Sequence, residues 1–338
     1  MRKALITGAG GFLGGWLCAE LAERGIEVVA LDREWREGCL CPNYVPEQNR
    51  ITADVEDFPE MLRILREYDL DFVFHLAAQA LVQEAAAEPI ATFRSNIEGT
   101  WNVLEAARLL QRTNAARPLG VIVTSSDKAY GDQTKLPYVE SFPLHGRFPY
   151  DVSKSCADLI AQSYFASFRL PVCITRCGNL YGGGDFAMSR VVPGTICSVL
   201  KNERPVIRSD GTPQRDYVYV KDAAQALILI AERMLSDRNI HGEAFNISVG
   251  EPISVLDLVH KILTIMNRKD LEPIVQGTAS LEIQAQYLSS EKIQRLLNWH
   301  PRLDLDQGLE ETAAWYKKFF PRLPEGTQRQ PQLTRDEA

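Results

Sequence analysis

Ser126, Asp127, Lys128, Tyr150 and Lys154 carry the side chains with the most chemical promise in this sequence. The apolar run Val121–Val123 predicts a buried strand, so Ser126, Asp127 and Lys128 emerge at its C-terminal end, where open α/β sheets place their chemistry. Tyr150 and Lys154 sit at i and i+4 at the start of a helical pattern running from Ser153 to Phe168. That spacing puts the phenol and the ammonium on one face. A phenol titrating near ~10 is a poor base at neutral pH, and a fixed cation beside it favours the phenolate. Lys154 can thus make Tyr150 a usable proton acceptor while Ser126 holds a substrate oxygen beside it. Such a trio deprotonates an alcohol as a hydride leaves its carbon. Alone, a Tyr/Lys pair at this spacing is ordinary helix-surface decoration; the N-terminus gives it weight.

There, the short apolar strand Ala4–Thr7 runs into Gly8-Ala-Gly-Gly11-Phe12-Leu13-Gly14 and then a helical pattern from Trp16 to Arg24. Glycines at 8, 11 and 14 let the backbone turn tightly and approach a pyrophosphate, whose charge rests on the helix N-terminus. A second strand, Val28–Leu31, ends in Asp32, about 20 residues beyond the first glycine, where a carboxylate accepts both ribose hydroxyls and repels a 2′-phosphate. Asp32 argues for NAD over NADP. Arg33 follows directly, a residue able to hold that phosphate or to lie against the adenine.

These pieces occur in one order with Asp54-Val55 after a strand, His75-Leu76-Ala77-Ala78-Gln79, Asn96, Ser126 and Tyr150-x-x-x-Lys154. The set resembles the extended short-chain dehydrogenase/reductase family, in its nucleotide-sugar epimerase and dehydratase group. Further landmarks are Arg176-Cys-Gly-Asn179, Arg215-Asp-Tyr-Val-Tyr, Phe245-Asn-Ile and Leu297-Asn-Trp-His-Pro301, so the likeness covers nearly the whole chain. The resemblance implies cofactor contacts at Gly8, Gly11, Phe12, Leu13, Gly14, Asp32, Arg33, Asp54, Val55, Leu76, Ala77, Ala78, Gln79, Asn96, Tyr150 and Lys154. It implies substrate contacts at Gln79, Ser126, Asn179 and Arg215, with Arg190 a further cation of suitable placement. Arginine suits a diphosphate because its planar fork offers two donors at fixed geometry. It also implies a homodimer built on the helix from Pro89 to Leu110 and the helix that holds Tyr150.

Members of this group oxidise a sugar hydroxyl and differ in the next step. Once the 4-hydroxyl has become a ketone, the proton on C5 is acidified; a base can remove it while an acid protonates the departing 6-hydroxyl. Asp127 and Lys128 offer those two groups beside Ser126. The pair is most similar to the CDP-glucose 4,6-dehydratase branch, which also has related sequence around Gly182-Gly-Gly-Asp185. The expectation is an NAD-dependent nucleotide-sugar 4,6-dehydratase acting on a nucleotide-diphosphate hexose. A 4-epimerase or uronate decarboxylase of the same family and a catalytically silent NAD(H)-binding regulator are the alternatives.

Composition agrees with an enzyme of this kind. At 338 residues, with 45% hydrophobic and 24% charged, the chain reads as an ordinary globular protein large enough for two lobes. A net charge of -7 and no basic run argue against a nucleic-acid scaffold. No apolar stretch approaches the ~20 residues of a membrane span and no leader pattern is seen, which makes cytoplasm the expected compartment. Cysteines at 18, 39, 41, 156, 173, 177 and 197 and five scattered histidines make no set at metal-site spacing, so reduced thiols and no metal are expected. Strands near 3–7, 26–31, 50–52, 71–76, 119–125 and 171–176 alternate with helices near 12–24, 57–68, 88–112 and 151–168. That alternation predicts an α/β fold: a Rossmann-type parallel sheet with helices on both faces over 1–176. A smaller substrate lobe is expected over 177–320, with segments free to return to the first domain, and a flexible polar tail over 321–338.

Overall fold

The computed structural model describes residues 1–113, 119–278 and 283–320. The first half alternates strand and helix: β1 (Lys3–Thr7), α1 (Phe12–Glu23), β2 (Glu27–Asp32), β3 (Arg50–Thr52), α2 (Phe58–Glu67) and β4 (Phe72–His75). A short α3 (Val82–Ala87) leads into α4 (Pro89–Phe93), a π turn over Arg94–Glu98 and α5 (Gly99–Thr113); β5 (Gly120–Ser126), α6 (Pro149–Phe168) and β6 (Val172–Cys177) follow. Every residue of β4 is buried and β1 and β5 nearly so, because helices cover both faces of the sheet. Local chemistry sets the helix ends. Asp57 caps α2 by accepting from the Glu60 N–H at 3.1 Å. Pro149 opens α6 with a pre-set φ, and Arg169 closes it in the left-handed region at φ 56.

The second half holds β7 (Asn179–Tyr181), α7 (Val191–Leu200), β8 (Val206–Ile207), β9 (Gln214–Arg215), β10 (Tyr217–Tyr219), α8 (Val220–Ser236) and β11 (Ala244–Ile247). Then come β12 (Ile253–Ser254), α9 (Val255–Ile265), β13 (Ile274–Val275), β14 (Ala285–Gln286), α10 (Glu291–Leu297) and α11 (Leu305–Phe319). The central sheet has seven strands in the order β11-β6-β5-β4-β1-β2-β3, and every neighbouring pair is parallel. The strand order reverses between β1 and β4, and the crevice there is where such sheets bind ligands.

One expectation needs correction. The sequence suggests one helix from Pro89 to Leu110, but the π turn interrupts it around Asn96, whose amide is tied to the loop after β4. α8 packs on α1, and β11 extends the sheet beyond β6. Ala223, Leu227, Phe245, Ile293 and Trp299 accordingly share one core with Ile6, Leu17 and Phe74. A separate core of Tyr181, Ile196, Leu258, Ile262, Leu309 and Tyr316 builds the second lobe. Trp16 Nε1 on α1 donates to the Gly183 carbonyl at 2.7 Å and joins the two. The tail expected over 321–338 lies outside the described residues. Among the described residues no helix is long and apolar enough to cross a membrane.

Candidate active site

The glycine segment forms a tight backbone cradle between β1 and α1. Gly8 takes φ +73, and a Cβ there would stand 2.7 Å from the Ala77 nitrogen, so only glycine lets β1 exit against the loop after β4. A Cβ at Gly14 would fall on the Gly8 carbonyl oxygen. Gly11 begins α1 with no side-chain cap, and the first turn holds no acidic residue, which leaves the N–H groups of Phe12, Leu13 and Gly14 at a helix end suited to an anion. Asp32 closes the cradle: its Oδ2 accepts from the Gly10 N–H at 2.8 Å. Burial pushes the Asp32 carboxyl above its ordinary value and that N–H pulls it back. Arg33 is exposed beside it, and Asp54 and the buried Val55 lie beyond β3, with Asp54 Oδ1 accepting from the Glu56 N–H at 3.0 Å. An uncapped helix end, a glycine cradle and a carboxylate at the end of β2 fit a dinucleotide.

Leu76, Ala77, Ala78 and Gln79 form the loop after β4, and a hydrogen-bond relay holds it. Thr100 donates to the Asn96 carbonyl at 2.6 Å, so the His75 Nε2 3.1 Å from the Thr100 oxygen carries its own proton. His75 Nδ1 then accepts from the Thr7 hydroxyl at 2.9 Å, and the same hydroxyl oxygen accepts from the Ala77 N–H at 3.3 Å. Burial drives His75 down to about 3, so the ring is neutral and structural. Asn96, expected to meet the cofactor, has its amide engaged by protein. Its Oδ1 accepts from the Gln79 N–H at 2.7 Å, and its Nδ2 donates to the Gln79 carbonyl at 3.0 Å and to Ser153 Oγ at 2.9 Å. Asn96 therefore sets the loop from behind. Gln79 Oε1 is buried without a hydrogen-bond partner among the described residues, an acceptor left for a ligand.

Ser126 ends β5, and Tyr150 and Lys154 lie on the first turns of α6. Tyr150 is buried; burial pushes its phenol up to about 12, against the pull of Arg190 and of a hydrogen bond with Ser126. Arg190 is thus a cation that favours the phenolate. Lys154 Nζ donates to the Thr124 carbonyl at 3.0 Å, and burial lowers it to about 8. That contact ties the ammonium to β5. Ser153 Oγ bonds the Tyr150 carbonyl at 2.6 Å, so the Asn96 turn and the Tyr150 turn are braced together.

Asp127 and Lys128 open a 3-10 turn that Ser126 caps, its Oγ accepting from the Lys128 N–H at 3.2 Å and donating to Asp127 Oδ1 at 2.8 Å. Asp127 is buried, and its charge raises the phenol of Tyr150. Lys128 acts on the carboxyl of Asp151, the residue after Tyr150. The amine, the acid and the phenol therefore share one neighbourhood. Lys128 Nζ also donates to Gln286 Oε1, a residue of β14 that the sequence did not single out.

Of the other residues, Arg190 Nη1 meets Asp185 Oδ2 at 3.0 Å, and its charge pulls the Tyr150 phenol down. Arg215 is buried on β9 and donates to the Gln214 carbonyl at 2.8 Å. Asn179 Nδ2 donates to the Asp216 carbonyl at 3.3 Å, which ties β7 to the segment before β10. Asp216 itself, passed over in the sequence, is buried, bonded by Ser248, and raised to about 7 chiefly by burial. A cleft of about 510 Å³ between Glu140, Gln162, Lys292 and Arg295 contains none of these residues, and its Arg176 is bound to Asp158 at 2.7 Å.

The model of the NAD-dependent epimerase/dehydratase family matches residues 4–248, which span the cradle, Tyr150 and Lys154. The chain belongs to that family. Its cofactor is NAD, in keeping with the cradle and Asp32. Over 94% of its length this family member is 28% identical to a CDP-glucose 4,6-dehydratase of Salmonella typhimurium, covering 91% of that protein. It is 30% identical to a dTDP-glucose 4,6-dehydratase of Neisseria meningitidis, over 94% of this chain and 93% of the relative. Among solved structures, a UDP-glucose 4-epimerase of Thermotoga maritima with UDP-glucose aligns with a TM-score of 0.85 at 28% identity, over 94% of this chain and all of that one.

Proposed function

We propose that this protein is a nucleotide-sugar 4,6-dehydratase that converts a nucleotide-diphosphate hexose into its 4-keto-6-deoxy product. The observation that carries this reading is the acid and amine pair, Asp127 and Lys128, held beside Ser126 and Tyr150 at the end of β5. An epimerase needs only the Ser-Tyr-Lys set; an acid and a base next to it suit elimination.

Ser126 orients the 4-hydroxyl and Tyr150 takes its proton. Arg190 and the Ser126 hydrogen bond favour the phenolate against burial. When bound, NAD would supply the hydride acceptor for C4 and, once reduced, the donor for C6. Lys128 removes the C5 proton and Asp127 protonates the departing 6-hydroxyl, so one proton is taken and one given as water leaves; Lys128 then returns its proton to C5 as C6 is reduced. Gly8, Gly11, Phe12, Leu13, Gly14, Asp32 and the loop Leu76–Gln79 would hold the dinucleotide, with Lys154 at its ribose. Arg190, Arg215 and Asn179 would meet the diphosphate or nucleotide, which gives an acidic protein a local site for an anion.

The exposed apolar residues Ile90, Trp101, Leu159 and Phe168 on α4, α5 and α6 support a homodimer through these helices. Seven free cysteines suit the reducing cytoplasm. The test of the reading is Lys128→Ala. It should still oxidise C4, seen as near-ultraviolet absorbance of reduced nicotinamide, while water loss falls by about 100-fold or more. Parent-rate water loss would remove Lys128 as the base.

A further inference from the structure

We infer that Gln286 is a positioning residue for the elimination step, delivered from the second lobe to hold the Lys128 amine. The inference rests on the dehydratase reading and deepens it. Gln286 lies on β14 and is fully buried. Its two amide ends are both used at the same place: Oε1 accepts from Lys128 Nζ, and Nε2 donates to the Asp127 carbonyl at 3.2 Å. One neutral side chain therefore fixes the amine against the backbone of the acid.

The chemistry of an amide suits this task. Its oxygen accepts an N–H from lysine whether the amine is charged or neutral, so it orients Nζ without adding charge. The other groups around the pair are charged or titratable: Asp127 on the same turn, Asp151 and Tyr150 on α6, Tyr138, Cys177 at the end of β6, Asp216, and Arg215 across the β14–β9 ladder. A carboxylate at position 286 would hold Lys128 as an ammonium. Gln286 also stands opposite Arg215 in the β14–β9 ladder. The strand that carries the proposed nucleotide contact is thus hydrogen-bonded to the strand that holds the base.

Gln286→Glu and Gln286→Leu test the assignment in the full-length protein with the nucleotide hexose that the parent dehydrates. Gln286→Glu should shift the acidic limb of water loss upward by about one pH unit or more, because a neighbouring anion raises an amine pKa. Gln286→Leu should lower water loss by roughly 10-fold or more with C4 oxidation and KM within about 2-fold, the pattern of a lost positioning contact. A purely structural role would not move the pH limb. A parent that dehydrates alongside a Gln286→Glu variant with an unshifted limb and parent rate would overturn the role of Gln286 alone. A parent whose product keeps the substrate mass would overturn both it and the dehydratase reading.

Discussion

The two ends of the site are built differently. The cofactor end is backbone: glycines at 8 and 14 that no Cβ could replace, an uncapped helix start and one carboxylate, all within β1, α1 and β2. The proposed reaction end is side chain, drawn from elements far apart in the sequence. Ser126, Asp127 and Lys128 come from β5 and the turn after it, Tyr150 and Lys154 from α6, Arg190 from the start of α7 and Gln286 from β14. The first end commits the chain to a dinucleotide; the second decides what happens to the substrate. Related enzymes can share the first end and diverge at the second, which accords with the likeness to both dehydratases and an epimerase.

Substitutions can break this contrast. Tyr150→Phe should have the largest effect, a loss of turnover of roughly 10²–10⁴-fold with unchanged thermal unfolding, checked by product formation and calorimetry. Asp127→Asn comes next. It should reduce water loss by about 100-fold while NAD retention stays intact, whereas an epimerase would barely respond.

Gly14→Ala attacks the other end. Its added Cβ meets the Gly8 carbonyl, so a cost of about 1–3 kcal/mol in stability and loss of bound NAD are expected, read by denaturation and by cofactor content after purification. Arg190→Met should slow C4 oxidation at neutral pH by about 10-fold, read as slower appearance of reduced nicotinamide. The reason is that Arg190 holds the phenol below the value burial alone would give.

The smallest effect concerns stability alone. Asp216 stands at about 7 in the fold against ~3.9 unfolded, so the folded state binds the extra proton between those values. Its stabilisation is complete below the unfolded value and is lost as pH rises through about 7. Asp216→Asn should flatten that decline, by on the order of 2 kcal/mol between pH ~5 and ~8, measured by urea titration.

How much of this was legible in the sequence follows the same divide. The cradle could be read because its parts are consecutive: a strand, glycines where Cβ atoms are excluded, a helix, then a strand ending in an acid. The sheet was legible through its apolar runs up to β6, but β11 was not, since four residues some distance downstream carry no sign of which sheet they join. Gln286 is 158 residues from Lys128, and an isolated glutamine offers no periodicity or spacing to link them. Asn96 stands out in the sequence, but its hydrogen bonds to Gln79 and Ser153 are a tertiary fact. Helical spacing sets Lys154 one turn beyond Tyr150 on α6 but could not show that the Thr124 carbonyl would hold its amine.

The measurement that bears most directly on the central claim is the product mass after the purified protein, without added cofactor, is incubated separately with CDP-, dTDP-, UDP- and GDP-hexoses. The account predicts loss of one water from one of these substrates, which would also name the nucleotide. A product of unchanged mass with an inverted sugar centre would contradict it, and would mean that Asp127 and Lys128 serve a reaction other than elimination.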